Sequence, residues 1–222
     1  MKENLSEEEL LEIEYQLSFP QGEKGIEMAS LMHETNAGMI SEALGALKIS
    51  DNHRLLEIGH GSCGHLPLVL KQAENLSYCG LEISETMQQE ALRCNKAHLA
   101  PQRIEFQLYD GAIIPAADHA YDRVMSVNSL YFWQKPESLL TEIYRVMEPG
   151  GVFSLAFVQK RDMEDYPFVR SRFRLYDNED MKELVGKTDF ALAEIRQRKD
   201  RMNLKLSKYV DRAYSIAVLV KE

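Results

Sequence analysis

Cysteine is scarce in this 222-residue chain, with Cys63, Cys79 and Cys94 making up the whole set. They form no C-x-x-C pair and no Cys/His spacing of the kind that holds zinc, so a disulfide framework and a zinc fold are excluded and the thiols read as reduced and structural. No stretch approaches the about 18 consecutive apolar residues of a membrane span. The start, MKENLSEEELLE, lacks both the basic flank and the apolar segment of a secretory leader. No membrane association and a cytoplasmic location are therefore expected. Repeats, low-complexity tracts and Pro/Gly/Ser linkers are missing too. At roughly one domain per 150 residues, that leaves a single domain over 1–222 as the expectation. Such a chain can bury about 70% of its unfolded surface without covalent staples.

Basic charge is in deficit, with 26 Lys/Arg against 35 Asp/Glu and a net charge of -9. The deficit is uneven: residues 1–159 hold 11 Lys/Arg and 23 Asp/Glu, whereas 160–222 hold 15 and 12. An acidic surface repels phosphate backbones, so nucleic acid is not the expected partner.

What is present is an alternation of β-rich runs with amphipathic helical ones, the pattern of a parallel sheet covered by helices. Ser6 opens an acidic helix to about Leu17, which the phrase Phe19-Pro20-Gln21-Gly22 breaks. A second helix over 24–47 sets Met28, Met32, Ile40, Ala43, Leu44 and Leu47 on one stripe, and the polar Asn36 falls on the same stripe. Strands are expected at 54–58, 78–82, 104–108, 121–127 and 152–158. Helices are expected from the glycine loop to about Asn75, over 85–98 and over 136–147. After a helix near 178–186, the runs 190–198 and 209–220 are strand-like. Their connection is too short for a parallel crossover, so they must pair antiparallel.

Gly59-His60-Gly61-Ser62-Cys63-Gly64 follows an apolar strand and precedes a helix, the context in which a glycine loop lets backbone approach a ligand. His60, Cys63 and His65 lie close together in it, but no carboxylate or second cysteine nearby in sequence completes a set, so no metal is expected. Two carboxylates flank the loop: Glu57, two residues before Gly59, and Glu82, at the end of the next strand. A carboxylate at that second position accepts ribose hydroxyls and disfavours a 2'-phosphate. The residues alone leave a nucleoside-binding enzyme, an NAD-linked oxidoreductase or a tight turn without ligand open.

Five motifs in order narrow this. Leu55-Leu56-Glu57-Ile58-Gly59-His60-Gly61, Gly80-Leu81-Glu82-Ile83-Ser84-Glu85-Thr86-Met87, Tyr109-Asp110-Gly111, Tyr121-Asp122-Arg123-Val124 and Tyr144-Arg145-Val146-Met147-Glu148-Pro149-Gly150-Gly151 together resemble a class I S-adenosylmethionine-dependent methyltransferase of the small-molecule type. The resemblance covers 55–157 and implies a doubly wound, Rossmann-like α/β fold. Its seven-stranded sheet would be mostly parallel with an antiparallel C-terminal hairpin, preceded by N-terminal helices. The expected division is a helical lid over 1–50, a cofactor-binding core over 51–160 and a C-terminal part over 161–222. A third glycine usually stands two residues after the second, where this chain has Cys63, with Gly64 displaced by one. The Asn/Asp-Pro-Pro-aromatic motif of nucleobase methyltransferases is replaced by Asn128-Ser129-Leu130-Tyr131.

The resemblance implies S-adenosylmethionine as cofactor. It places Glu57, Gly59, His60, Gly61 and Asn128 at the methionine end, Glu82 on the ribose hydroxyls, Ile83 on the adenine face and Asp110 at the adenine amino group, with Gly64 and Gly111 also among the cofactor-binding residues. No catalytic base is assigned. The acceptor would be a small molecule, with Asn36, Tyr131 and Trp133 on its pocket wall. From 196 to 212, seven basic residues, including Arg198, Arg201, Lys205, Lys208 and Arg212, face two acids. They guard an exposed hairpin edge or meet an anionic acceptor.

Overall fold

The computed structural model describes residues 5–99, 103–204 and 208–222, with side chains outside 201–210. Helix α1 (Glu7–Ser18) starts at a capping box, Ser6 Oγ accepting from the Glu9 amide while the Glu9 carboxylate accepts from the Ser6 amide. Helix α2 (Gly22–Leu47) follows after the break. Then come β1 (Arg54–Ile58), α3 (Leu66–Leu70), β2 (Ser77–Glu82), α4 (Glu85–Cys94), β3 (Ile104–Leu108), β4 (Tyr121–Val127), α5 (Pro136–Val146), β5 (Met147–Val158), α6 (Asn178–Val185), β6 (Ala191–Leu204) and β7 (Lys208–Val220).

The strands form one seven-stranded sheet in the order β3-β2-β1-β4-β5-β7-β6. Neighbours from β3 to β5 run parallel, and β7 lies antiparallel to both β5 and β6. This is the doubly wound sheet with an antiparallel hairpin that the sequence implies. The strand order reverses between β1 and β4, and a crevice opens at the strands' carboxyl ends there.

Four expected elements have different limits. Helix α3 stops at Leu70 instead of running to Asn75, because the chain beyond it is tied to the turn before β1: Asn52 N donates to Glu74 O, and Glu74 N to Asp51 Oδ1. Helix α4 ends at Cys94, where the Asn95 side chain donates to Ala91 O and Cys63 O and so stands in for the next helical turn. Strand β5 begins at Met147 and passes through an irregularity at 148–151 that contains Gly150 at φ 75°. Strand β6 also runs past the expected end at 198, to Leu204.

The stripe of α2 divides. Its C-terminal half, with Met39, Ile40, Ala43, Leu44 and Leu47, is buried against the sheet. Met28 and Met32, expected on the same core stripe, are only half-buried because the helix there runs past the crevice. At the other end of the N-terminal pair, the Ser84 hydroxyl donates to Pro20 O and the Gly22 amide to Thr86 Oγ1 at 3.2 Å, which fixes the α1–α2 turn on the start of α4. Helix α1 also reaches the segment after β5. Glu7 pairs with Arg170, buried Glu14 accepts from the Arg172 amide at 2.6 Å, and the Arg172 guanidinium lies 5.1 Å over the Tyr15 ring.

Candidate functional site

A cavity of about 630 Å³ occupies the crevice between β1 and β4. Its floor is the loop after β1. Gly59 turns at φ 73° with its amide bonded to Leu81 O, and a Cβ there would stand 3.0 Å from Ser129 Cβ, so both conformation and space require glycine. Gly61, at φ 56°, faces open space within the cavity. The third left-handed position is taken by Cys63 at φ 48°. Gly64 does not line the cavity; a Cβ on it would meet the His33 ring at 3.1–3.4 Å, so its smallness serves the packing of α2.

Glu82, at the tip of β2, binds this loop to the start of α4. Its Oε2 accepts from the Gly61 amide at 3.0 Å, and its Oε1 from the amides of Ile83 at 2.8 Å and Ser84 at 3.3 Å. A carboxylate has about four acceptor sites, so capacity remains on the cavity side. Ile83 lies 37% exposed on the cavity wall, touching the position where a Gly111 Cβ would project. Asp110 accepts from the amides of Ala112 and Ile113 through Oδ1, both at 2.8 Å, and these bonds hold its carboxyl below the usual range. Its Oδ2 takes no hydrogen bond among the described residues.

Glu57 is 2% exposed, and its Oε2 accepts from Tyr78 OH at 2.6 Å and His65 Nε2 at 2.8 Å. Burial alone would raise the Glu57 pKa, but the His65 cation and the two donors hold it low; burial likewise opposes charge on His65, and Glu57 outweighs it to raise the His65 pKa. The fold also supplies the carboxylate that sequence spacing did not show near Cys63 and His65, since ligand atoms of Glu57, Cys63 and His65 lie within 4.8 Å of one another. These donors are spent on one another: Cys63 Sγ shares a hydrogen bond with Tyr78 OH at 3.1 Å, and Glu57 holds Tyr78 and His65.

The His60 backbone follows the expected path, but its side chain has a place the sequence does not announce. The ring packs on Gly80 and on Phe106 with centroids 4.9 Å apart, and its Nδ1 lies 2.7 Å from Gly61 O. Burial lowers its pKa, so the neutral ring donates through Nδ1 and leaves Nε2 as a buried acceptor with no partner among the described residues. A Cβ on Gly80 would stand 2.6 Å from His60 Cδ2. Gly80→Ala should therefore displace His60 and cost about 1–3 kcal/mol of stability, read as a lower urea midpoint at an unchanged m-value.

Asn128, Asn36 and Tyr131 meet in one network on the far side of the loop. Asn128, at φ 56°, donates through Nδ2 to Asn36 Oδ1 at 2.8 Å and accepts from Tyr131 OH at 2.9 Å; the Val158 amide donates to that same hydroxyl. Arg212 Nη1 donates to Asn36 Oδ1 at 3.3 Å. Trp133 is held by an Nε1 bond to Ser129 Oγ at 3.0 Å. All of these residues line the cavity.

Arg212 differs from the exposed edge residue that its basic neighbourhood suggests. It is buried and bound by Asp200 at 3.1 and 2.6 Å and by Thr35 O at 2.9 Å. Arg198 pairs with Glu42 on the surface, whereas Lys205 and the side chains of Arg201 and Lys208 lie outside the described residues. Sequence reading also missed His33, whose ring lies beside His65 with centroids 6.3 Å apart, and the wall formed by Met163, Tyr166, Phe168 and Phe173. The available signal was a cluster of aromatics in a segment with no helical or strand period.

Residues 56–155 match a family model described as a methyltransferase domain. Methyltransferase YdaC of Bacillus subtilis, itself uncharacterized, is 27% identical over 139 residues, which are 62% of this chain and 73% of that protein. A fatty-acid O-methyltransferase of Mycolicibacterium smegmatis is 27% identical over 118 residues, 53% of this chain and 40% of that one. Among solved structures, a SAM-dependent methyltransferase of Aquifex aeolicus superposes with a TM-score of 0.62 at 17% identity, covering 86% of this chain and 93% of the other. The [4+2]-cyclase SpnF superposes with a TM-score of 0.68 at 19% identity, covering 83% and 80%.

Proposed function

We propose that this chain, which belongs to the class I S-adenosylmethionine-dependent methyltransferases, transfers a methyl group from S-adenosylmethionine to a small-molecule acceptor. The observation that carries this reading is Glu82. One carboxylate closes the glycine loop on the start of α4 and faces a cavity large enough for more than one ligand. The residues fit the cofactor. Gly61 leaves open space where a side chain would project, Ile83 offers an apolar face, and Asp110 Oδ2 is an acceptor without a donor among the described residues.

When bound, the cofactor supplies an electrophilic methyl group on a sulfonium, so alignment of the nucleophile in line with it can contribute up to about 7–11 kcal/mol. The chain's part is accordingly to bind and orient. Glu82 would hold the ribose hydroxyls, Ile83 and Asp110 the adenine, and the loop 59–61 with Asn128 the methionine end. Glu57, tied up by His65 and Tyr78, would act by fixing the loop's approach. Helices α1 and α2 would close over the acceptor and exclude water. Relatives described as acting on a fatty acid and on 27-O-demethylrifamycin SV support a small acceptor. The chain's acidity argues against nucleic acid. The fold alone does not decide the reaction, since it also carries a [4+2]-cyclase.

Calorimetry with S-adenosylmethionine, S-adenosylhomocysteine and NAD tests the cofactor; tighter binding of NAD would overturn the reading. Incubation of metabolite pools with methyl-labelled cofactor then identifies the acceptor. Asn36→Ala removes the acceptor atom shared by Asn128 and Arg212 at the cavity wall, and should lower turnover several-fold while cofactor affinity changes less. Equal losses in both would place Asn36 in the scaffold.

A further inference from the structure

The end of the cavity away from Glu82 is walled by aromatic rings. Phe132 and Phe173 stand edge to face with centroids 4.8 Å apart, Phe168 lies 6.5 Å from Phe173, and Tyr166 stacks on Phe168 at 5.2 Å. All four rings line the cavity and are only half-buried, so their remaining surface is apolar area that a ligand would remove from water. Met163, from the same segment as Tyr166 and Phe168, adds an unbranched side chain that adapts to an occupant.

The charge around this end is already balanced. Arg212 is a buried cation on the wall, and Asp200 engages it twice while Thr35 O and Asn36 take further donors. The Lys135 side chain stands exposed at the rim. His33 is kept neutral by burial and by the neighbouring His65 cation. Among the described residues, Lys135 at the rim is the remaining cation at this end, so a carboxylate buried among the rings would bear most of its desolvation cost. Rings arranged edge to face and stacked also favour a flat partner over a flexible chain, because planar groups meet their faces and edges with little loss of rotational freedom.

We infer that this end of the cavity is a subsite for a neutral, planar aromatic group, with Phe132, Phe168 and Phe173 setting that preference. The assignment rests on the methyltransferase reading for its role as the acceptor subsite, but not for the binding itself.

Trp133 is the chain's one tryptophan and lies on the cavity wall, so heavy-atom quenching of its emission reports occupancy directly. Three bromine-bearing probes separate the chemistries: 4-bromophenol, 4-bromobenzoate and 6-bromohexan-1-ol, each titrated with S-adenosylhomocysteine present and absent. The phenol should bind at least tenfold more tightly than the benzoate and severalfold more tightly than the alkanol. Phe173→Leu, which keeps apolar volume and removes the ring, should erase the advantage over the alkanol without changing affinity for S-adenosylhomocysteine. Asp200→Asn, which frees Arg212, should raise benzoate affinity about tenfold. Benzoate or alkanol binding as tightly as the phenol, equal quenching by all three probes, or a Phe173→Leu protein that keeps the preference would each overturn the assignment. Retained phenol preference with no S-adenosylhomocysteine binding would instead remove the cofactor reading and leave the subsite standing.

Discussion

Glu82→Ala should lower affinity for S-adenosylhomocysteine at least tenfold. A carboxylate in charge-assisted hydrogen bonds contributes about 1.5–3 kcal/mol per bond before water compensates, and two ribose hydroxyls would be lost together. The substitution also releases the amides of Gly61, Ile83 and Ser84, three donors that one side chain now satisfies. The free protein should therefore lose order in the loop as well as a ligand contact. Glu82→Gln separates the two effects: its amide oxygen can still accept from the loop, but the charge is gone, so an intermediate loss is expected. Calorimetry with the cofactor product, set beside the thermal midpoint of each variant, checks both. An unchanged dissociation constant for Glu82→Ala would show that the carboxylate serves the loop alone.

The largest effect on stability should come from Glu57→Ala. The change leaves His65, 7% exposed, without its counter-ion and leaves Tyr78 OH without its acceptor. Breaking one side of a buried pair costs about 3–5 kcal/mol, whereas replacing both partners by apolar groups is often close to neutral. His65→Leu in the Glu57→Leu background should therefore recover much of what Glu57→Leu alone loses, as read from urea unfolding.

The same pair sets a pH dependence. His65 has a raised folded pKa, so its contribution is complete below the unfolded value of about 6.5 and fades as pH rises through the folded value. Glu57 has a lowered folded pKa, so its share is complete above about 4.3 and is lost as pH falls through the folded value. The pair should accordingly stabilise the fold most between about pH 4.5 and 6.5. The difference in unfolding free energy between wild type and the double variant should peak in that window.

Sequence reasoning reached the sheet because each strand carries its own signal: apolar runs bounded by turns, with the antiparallel hairpin following from a short connection. Glu82 reads as a strand-end carboxylate beside the glycine loop, whereas only the family resemblance assigns Ile83 and Asp110; the fold sets all three on the cavity wall. Sequence reasoning failed where the deciding contact was distant in the chain. Nothing local to 66–75 shows that Glu74 will bond to Asp51 and end α3 early. Nothing near Arg212 shows that Asp200 and Thr35 will enclose it. The displaced glycine illustrates the same limit, since Cys63 takes the left-handed turn and Gly64 makes room for a histidine 31 residues earlier. The aromatic wall after β5 shows in the sequence only as a cluster of aromatics without a period; the fold is what brings it to the cavity.

Helix α1 touches the rest of the molecule at both ends of the cavity. Its turn into α2 is bonded to Ser84 and Thr86 beside Glu82, while Glu7, Glu14 and Tyr15 hold Arg170 and Arg172, which stand between Phe168 and Phe173 of the aromatic wall. A ligand that fixes this strap at one end therefore fixes it for a ligand at the other, and the second arrival meets a cost of ordering that the first has already met. Cofactor and acceptor would then bind with positive cooperativity through a shared helix, without touching each other. Linkage makes the coupling reciprocal: whatever factor the cofactor adds to acceptor affinity, the acceptor adds to the cofactor's.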